Sequence, residues 1–260
     1  MIRSQKSIFL ISSAALFFTG ITLLSYRVFD WGLLPLLGLF ILYLSAKKNR
    51  SVISLFLFFL LGLLLFQLAT GWINEWDVSK ETKILLNRSF LLFILMALAL
   101  SHLISKEKIR FFTVFPNWRR RISMPSHTIS LPSFLLIGLA GSSTIFIPLI
   151  WSPEVSEVKT LFRFAIGFTI LNATLEELIW RGVMLSSLKR NVSVLYAVTV
   201  TSLGFGLLHL SIGIPLLLSL LFSFGGLFYA IVVLKTESIY PSIVFHMVMN
   251  VGMVLNGWVN

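Results

Sequence analysis

The stretch Glu176-Glu177-Leu-Ile-Trp-Arg181 places two carboxylates side by side, with an arginine four residues after the second. Residues four apart share a helical face, so Arg181 can pair with Glu177. Glu176 then points about 100° away and is free for another task. Adjacent carboxylates repel each other, and a carboxylate ready to take up a proton is a candidate general base. Two further stretches carry histidines: Phe205-Gly-Leu-Leu-His209 and His246-Met-Val-Met-Asn250. His246 and Asn250 are again four apart on one face. Singly, each feature has a plain structural reading: a Glu–Arg pair that anchors a helix end, or a histidine satisfied by hydrogen bonds. Together, on three separate apolar segments, they form a set able to hydrolyse an amide. A neutral histidine and a carboxylate can hold and deprotonate a water, while a second histidine and an asparagine amide can donate to the developing oxyanion. In an alternative that stays equally open, Glu176, His209 and His246 hold a divalent metal such as zinc that activates the water.

Other hydrolytic chemistries are missing their parts. Asp30 and Asp77 fall in loops, so no aspartyl dyad exists at membrane depth. There is no His-Glu-x-x-His motif and no Gly-x-Ser-x-Gly elbow. The chain has no cysteine, which removes disulfides, thiolate nucleophiles and Fe–S clusters.

These residues must be positioned by membrane-spanning helices. Hydrophobic residues make up 57% of the 260 positions and charged residues only 12%, against about 25% charged in a soluble domain. Lipid is therefore part of the solvent, and the chain reads as an all-α polytopic transmembrane bundle. Spans of roughly 20 apolar residues are expected at 8–25, 31–46, 52–73, 84–104, 133–151, 161–180, 195–213, 214–234 and 239–258, or eight in all if 31–46 is re-entrant. The first span lacks a small-residue cleavage site before Tyr26, so it is expected to be retained. Glu176 and Glu177 are the only acidic residues within a predicted span. Charged groups at that depth are costly and persist where they are paired or used.

The net charge of +11 suggests nucleic acid, but the basic residues sit in short clusters between apolar runs, as the positive-inside rule requires of loops. With a cytoplasmic N-terminus, the inside segments hold Arg3, Lys6, Lys47, Lys48, Arg50, Lys106, Lys108, Arg110, Arg119, Arg120, Arg121, Arg181, Lys189, Arg190 and Lys235. The outside segments hold Arg27, Lys80, Lys83, Arg88, Lys159 and Arg163, which puts the C-terminus outside. His102 and His127 read as ordinary interfacial residues. The basic loop 105–132, with Pro116, Pro125 and Pro132, divides a four-span region (1–132) from a five-span region (133–260). No internal repeat marks the chain as an inverted-repeat transporter.

The ordered set Glu176-Glu177-x-x-x-Arg181, Phe205-x-x-x-His209 and His246-x-x-x-Asn250 resembles the CPBP family of CAAX proteases and bacteriocin-processing enzymes, also called ABI. The resemblance covers roughly 133–258. It implies an intramembrane endopeptidase, like CAAX prenyl protease 2, acting on a membrane-associated or prenylated peptide or protein. Glu176 and His209 would activate the water, His246 and Asn250 would stabilise the oxyanion, and Glu177, Arg181 and Phe205 would support them. The family is described both as metalloproteases and as metal-free glutamate proteases. Its partners would be membrane lipid and substrate, not nucleic acid. Competing readings are a non-enzymatic immunity or scaffold protein and a proton-coupled transporter that uses the glutamate pair.

The predicted spans carry one conflict. At about 1.5 Å per residue, Glu176 and His246 lie roughly 8–10 Å from the inner ends of their spans, but His209 lies roughly 21 Å from its own. Either 191–199 lies along the interface, or the sixth span continues past Arg181. Residues 182–190, with Lys189 and Arg190 beside Val183, Met184, Leu185 and Leu188, read as a surface helix.

Overall fold

The computed structural model describes residues 2–46, 49–109, 111–123, 126–144 and 158–259. Lys47, Lys48, Arg110, Pro125, Glu154, Glu157 and the fifth predicted span beyond Thr144 lie outside the described residues. The chain is an all-α helical bundle and an integral membrane protein. Five helical stretches are long and apolar enough to cross a membrane: Ile8–Ser25, Arg50–Asn74, Lys80–Ser105, Val194–Ile212 and Leu216–Thr236. Shorter apolar helices cover Phe29–Ser45, Leu131–Thr144 and Tyr240–Leu255.

In chain order, α1 (Ile2–Ser25), α2 (Phe29–Ser45) and α3 (Arg50–Asn74) form an antiparallel group. The segment 31–46 is part of a continuous helix rather than a re-entrant turn. Next come α4 (Lys80–Ser89) and α5 (Leu91–Ser105), separated only by Phe90, which keeps a helical backbone conformation. Ser79 caps α4 by accepting from the Thr82 N–H. After α6 (Leu131–Thr144), α7 (Val158–Glu177) runs without interruption into a π-helical segment, Leu178–Leu185, and then α8 (Ser186–Asn191). The remaining elements are α9 (Val194–Leu208), a 3₁₀ turn at His209–Ile212, α10 (Leu216–Thr236) and α11 (Tyr240–Leu255). Gly213 ends the 3₁₀ turn at φ 87°, where a side chain would be strained.

One hydrophobic core joins both halves. In the first half Phe17 packs on Phe59, Phe59 meets Trp180, and Trp180 in turn meets Phe205. Tyr196 donates to the Leu10 carbonyl over 2.8 Å.

The 105–132 segment is more ordered than a basic linker. Arg121–Ser123 and Thr128–Ser130 form a two-stranded antiparallel hairpin. Arg120 pairs with Glu237 at 2.9 Å, Lys235 donates to the Ser123 carbonyl, and the Ile239 N–H donates to the Phe112 carbonyl. Arg190 donates to the Lys108 carbonyl. Segments assigned from charge to the same side of the membrane therefore meet at one end of the bundle.

Three expectations need correction. Residues 182–188 do not lie on the surface: Val183, Met184, Leu185 and Leu188 are fully buried, and only the following Lys189, Arg190 and Asn191 are exposed. Apolar packing from several neighbouring helices outweighed the basic pair that suggested an interfacial helix. His102 is buried, with Nδ1 2.9 Å from the Leu98 carbonyl and Nε2 2.7 Å from Ser187 Oγ. Arg88, counted with the outside segments although it falls near the start of the expected span 84–104, is buried as well and faces Glu176.

The buried path of 178–191 removes the depth conflict. Asn191 lies fifteen positions after Glu176, and His209 lies fifteen after Val194. At about 1.5 Å per residue, both sit at comparable depth from the short turn that joins their helices. The sixth span does continue past Arg181. The same packing places His246. Gly182 is flanked by Phe111 and Ile239, so the start of α11 lies level with Gly182, and His246 is carried up to the glutamates.

Candidate active site

Glu176 and Glu177 end α7, just where the backbone widens into the π-helix. Such single π turns within α-helices recur at functional sites. The wider turn lets Ile179, Trp180, Arg181 and Val183 all face protein rather than lipid. Ser186 Oγ donates to the Gly182 and Val183 carbonyls, satisfying groups that the changed register leaves open.

Arg181 is held by both terminal nitrogens and by two rings. Its Nη1 donates to Glu177 Oε1 over 2.8 Å, and Nη2 donates to the Gly226 carbonyl over 2.9 Å. Its guanidinium lies 4.6 Å from the Phe205 ring centre and 5.1 Å from that of Tyr229, within cation–π range. Glu177 is 0% exposed and Arg181 1%. A buried pair of this kind repays its desolvation only with good geometry and extra hydrogen bonds; Arg181 Nη1 and Nη2 and Glu177 Oε1 have them, while Arg181 Nε and Glu177 Oε2 are buried without a hydrogen-bond partner.

Close helix approach makes that arrangement possible. A β-carbon on Gly206 would lie 2.5 Å from the Ser219 carbonyl oxygen, and one on Gly226 would lie 2.9 Å from that of Ser202. Small residues thus let the α9 and α10 backbones touch, which brings Phe205 and Tyr229 together. Gly226 serves this packing; Gly225 meets only the edge of Tyr229, at 3.9 Å.

The histidines converge on Phe205. His209 packs edge-on to the Phe205 ring at 5.0 Å and stacks on Phe222 at 4.3 Å. His246 packs edge-on to Phe205 at 5.7 Å and stacks on Tyr229 at 4.9 Å. His209 Nδ1 lies 2.9 Å from the Phe205 carbonyl, an acceptor, so Nδ1 carries the hydrogen and Nε2 is free to act as an acceptor. His246 Nδ1 lies 3.0 Å from Glu177 Oε1 and is likewise the donor. Its Nε2 then faces Glu176 Oε2 at 3.6 Å. Two acceptors oppose each other there, so a proton or a bridging molecule belongs between them.

Asn250, one turn beyond His246, is buried with no partner for its amide Nδ2. Glu176 Oε2 has no hydrogen-bond partner either. His209 is only partly buried and is the member of the set open to an approaching molecule.

The zinc alternative fits this arrangement poorly. Among the described residues, no group of three or more His, Asp or Glu side chains is placed to hold a metal ion. Glu177 is occupied by Arg181, and Glu176 Oε1 lies 3.6 Å from Arg88 Nη1. Two guanidinium charges already answer the two carboxylates.

The tertiary structure thus brings Glu176, Glu177, Arg181, Phe205 and His246 into one buried cluster, with His209 packed on the same Phe205 ring and the buried Asn250 one turn beyond His246. Sequence reasoning missed Tyr229, Arg88 and Asn172. Asn172 accepts from Arg88 and lies four residues before Glu176, a spacing that would have placed it on the same face. Arg88 is a charged residue inside a predicted span, and that alone is a signal of function.

Residues 158–252 match the family model described as type II CAAX prenyl endopeptidase Rce1-like. No curated protein matches the chain, and no solved structure does.

Proposed function

Because residues 158–252 carry a type II CAAX prenyl endopeptidase domain of the Rce1-like kind, consistent with the CPBP family, we propose that the chain is an intramembrane endopeptidase. It hydrolyses a peptide bond of a membrane-associated or prenylated substrate by glutamate- and histidine-activated water. One observation carries the reading: Glu176 Oε2, facing His246 Nε2, and Asn250 Nδ2, one turn beyond His246 on the same helix, are an acceptor and a donor, both buried without a hydrogen-bond partner. Burying unpaired polar groups is costly, and a reacting amide with its water supplies what each lacks.

In this reading Glu176 takes a proton from a water that His209 Nε2 helps to hold. The hydroxide attacks the scissile carbonyl carbon. The oxyanion is met by the Asn250 amide and by His246 Nε2, the ring having taken a proton from solvent at Nε2 before the substrate binds and keeping it throughout, with Glu177 holding the ring from behind. Glu176 then returns its proton to the leaving amine. Arg181 keeps Glu177 in place and takes no part in bond making. No step is routed through a metal. The N-terminus is assigned to the cytoplasm and the C-terminus to the outside, following the distribution of basic loops.

The test uses the full chain in detergent and a quenched-fluorescence peptide that ends in a farnesylated cysteine and three further residues. Wild type is expected to cleave after the farnesylated cysteine, and Glu176→Ala to be inactive. In parallel, C-terminal peptides of the membrane proteome are compared between cells expressing wild type and Glu176→Ala. If neither assay distinguishes the two proteins, the enzyme reading fails and a binding or immunity role takes its place.

A further inference from the structure

We infer that Arg88, from the N-terminal half, is a positioning residue for Glu176, so that the candidate site is incomplete without a helix lying outside the matched domain. The inference rests on Glu176 being the base of the endopeptidase proposed above.

Arg88 lies in the last turn of α4, far in sequence from residues 158–252 and from all three motifs. It is only 8% exposed. Its Nη1 lies 3.6 Å from Glu176 Oε1 and donates to Asn172 Oδ1 over 3.4 Å. Asn172 and Glu176 share a face of α7, so the guanidinium lies along that face and touches both. The two helices are in ordinary van der Waals contact there: a β-carbon on Gly167 would lie 3.9 Å from Leu85, one turn before Arg88.

The chemical need for such a group is specific. The terminal torsion of a glutamate has no sharp rotamer wells, so nothing within the side chain decides which oxygen faces where. Neighbours must decide it. Arg181 is committed to Glu177 Oε1 and the Gly226 carbonyl. Arg88 faces one oxygen of Glu176, and that leaves Oε2 turned toward His246 Nε2. Each of the two glutamates therefore has its own arginine, one from the domain itself and one from the other half of the chain. Arg88 also balances a charge that would otherwise stand alone in the bundle.

The experiment uses the full chain, the farnesylated peptide above and four variants: Arg88→Gln, Arg88→Lys, Glu176→Gln and the double variant Arg88→Gln/Glu176→Gln. Arg88→Gln is expected to lower kcat about 100-fold, the scale at which a small misplacement of a reacting group is felt, with KM unchanged. Arg88→Lys restores the charge and should recover most of that loss. Thermal unfolding in detergent gives a second reading that needs no activity: Arg88→Gln and Glu176→Gln should each lower Tm, and the double variant should lower it by less than their sum. An unchanged kcat in Arg88→Gln, a change confined to KM, or additive Tm shifts overturns the inference. If wild type leaves the peptide uncut and the membrane proteome's C-terminal peptides unchanged, the endopeptidase reading has failed, and the Tm cycle alone then decides the contact.

Discussion

His246 Nδ1 stands 3.0 Å from Glu177 Oε1, the same oxygen that accepts from Arg181 at 2.8 Å. One carboxylate oxygen thus joins a residue of α11 to the π-helical segment after α7. It orients the imidazole and closes a buried ion pair with a single contact point.

The Glu177–Arg181 pair should therefore be structural first. Glu177→Ala or Arg181→Ala leaves a lone buried charge and is expected to cost about 3–5 kcal/mol. Glu177→Gln combined with Arg181→Met should cost less than the two single changes together. Thermal unfolding of the four proteins in detergent measures this, and strictly additive losses would show that the two side chains do not act as a pair.

Asn250 should behave as a donor to developing charge. Asn250→Ala is expected to reduce kcat on the farnesylated peptide about 10²–10³-fold with little loss of stability. A rise in KM at constant kcat would instead reassign the amide to ground-state binding of the substrate.

Metal removal separates the two forms of water activation. With Arg88 and Arg181 already set against the carboxylates, incubation with a chelator should leave the rate of peptide cleavage unchanged. A rate abolished by chelation and restored by added zinc would favour the Glu176, His209, His246 alternative.

The docked basic segment should respond to acid. The Arg120 hydrogen bond, and secondarily its charge, holds the Glu237 carboxyl below its ordinary value of 4.5. A carboxyl depressed in the folded state contributes stability that is complete above its ordinary value and is lost as pH falls through the folded one. Amide exchange across residues 119–123 should therefore be insensitive to pH-dependent opening above about pH 5 and quicken below the ordinary carboxylate range. Glu237→Gln should remove that acid dependence. Because the pair is exposed, the effect is confined to this segment and should not reach the bundle core.

Much of the fold was legible because lipid imposes a simple rule on sequence. Each expected apolar segment is helical over most of its described part, 31–45 of the segment 31–46 included, since a chain in hydrocarbon must satisfy its backbone internally. Pairings within one helix were legible for the same reason. The i, i+4 spacing of Glu177 and Arg181 predicts their contact, and the contact is there.

Features set by neighbours were not legible. The π-helical turn at Leu178–Leu185 depends on packing from several other elements, and no local pattern announces it. Lys189 and Arg190 suggested an interfacial helix, yet the apolar residues just before them found partners on several helices and were drawn inside. Arg88 follows Lys80 and Lys83 along α4 and looked like part of an exposed basic end. Its true surroundings depend on where α4 lies against α7. Tyr229 gave no signal beyond being an aromatic in an apolar run, because its role comes from stacking on His246, a residue of another helix.

From the sequence alone, composition and spacing determined that the chain is a helical membrane protein and that Glu176, Glu177, Arg181, His209, His246 and Asn250 are the polar residues at issue, because charge at membrane depth is costly enough to be conspicuous. Only the tertiary structure decided which of them meet. Contact depends on how far each helix continues, and the buried course of 178–191 set the depth of Glu176. It also depends on which distant side chain fills the remaining space, and for Glu176 that side chain is Arg88.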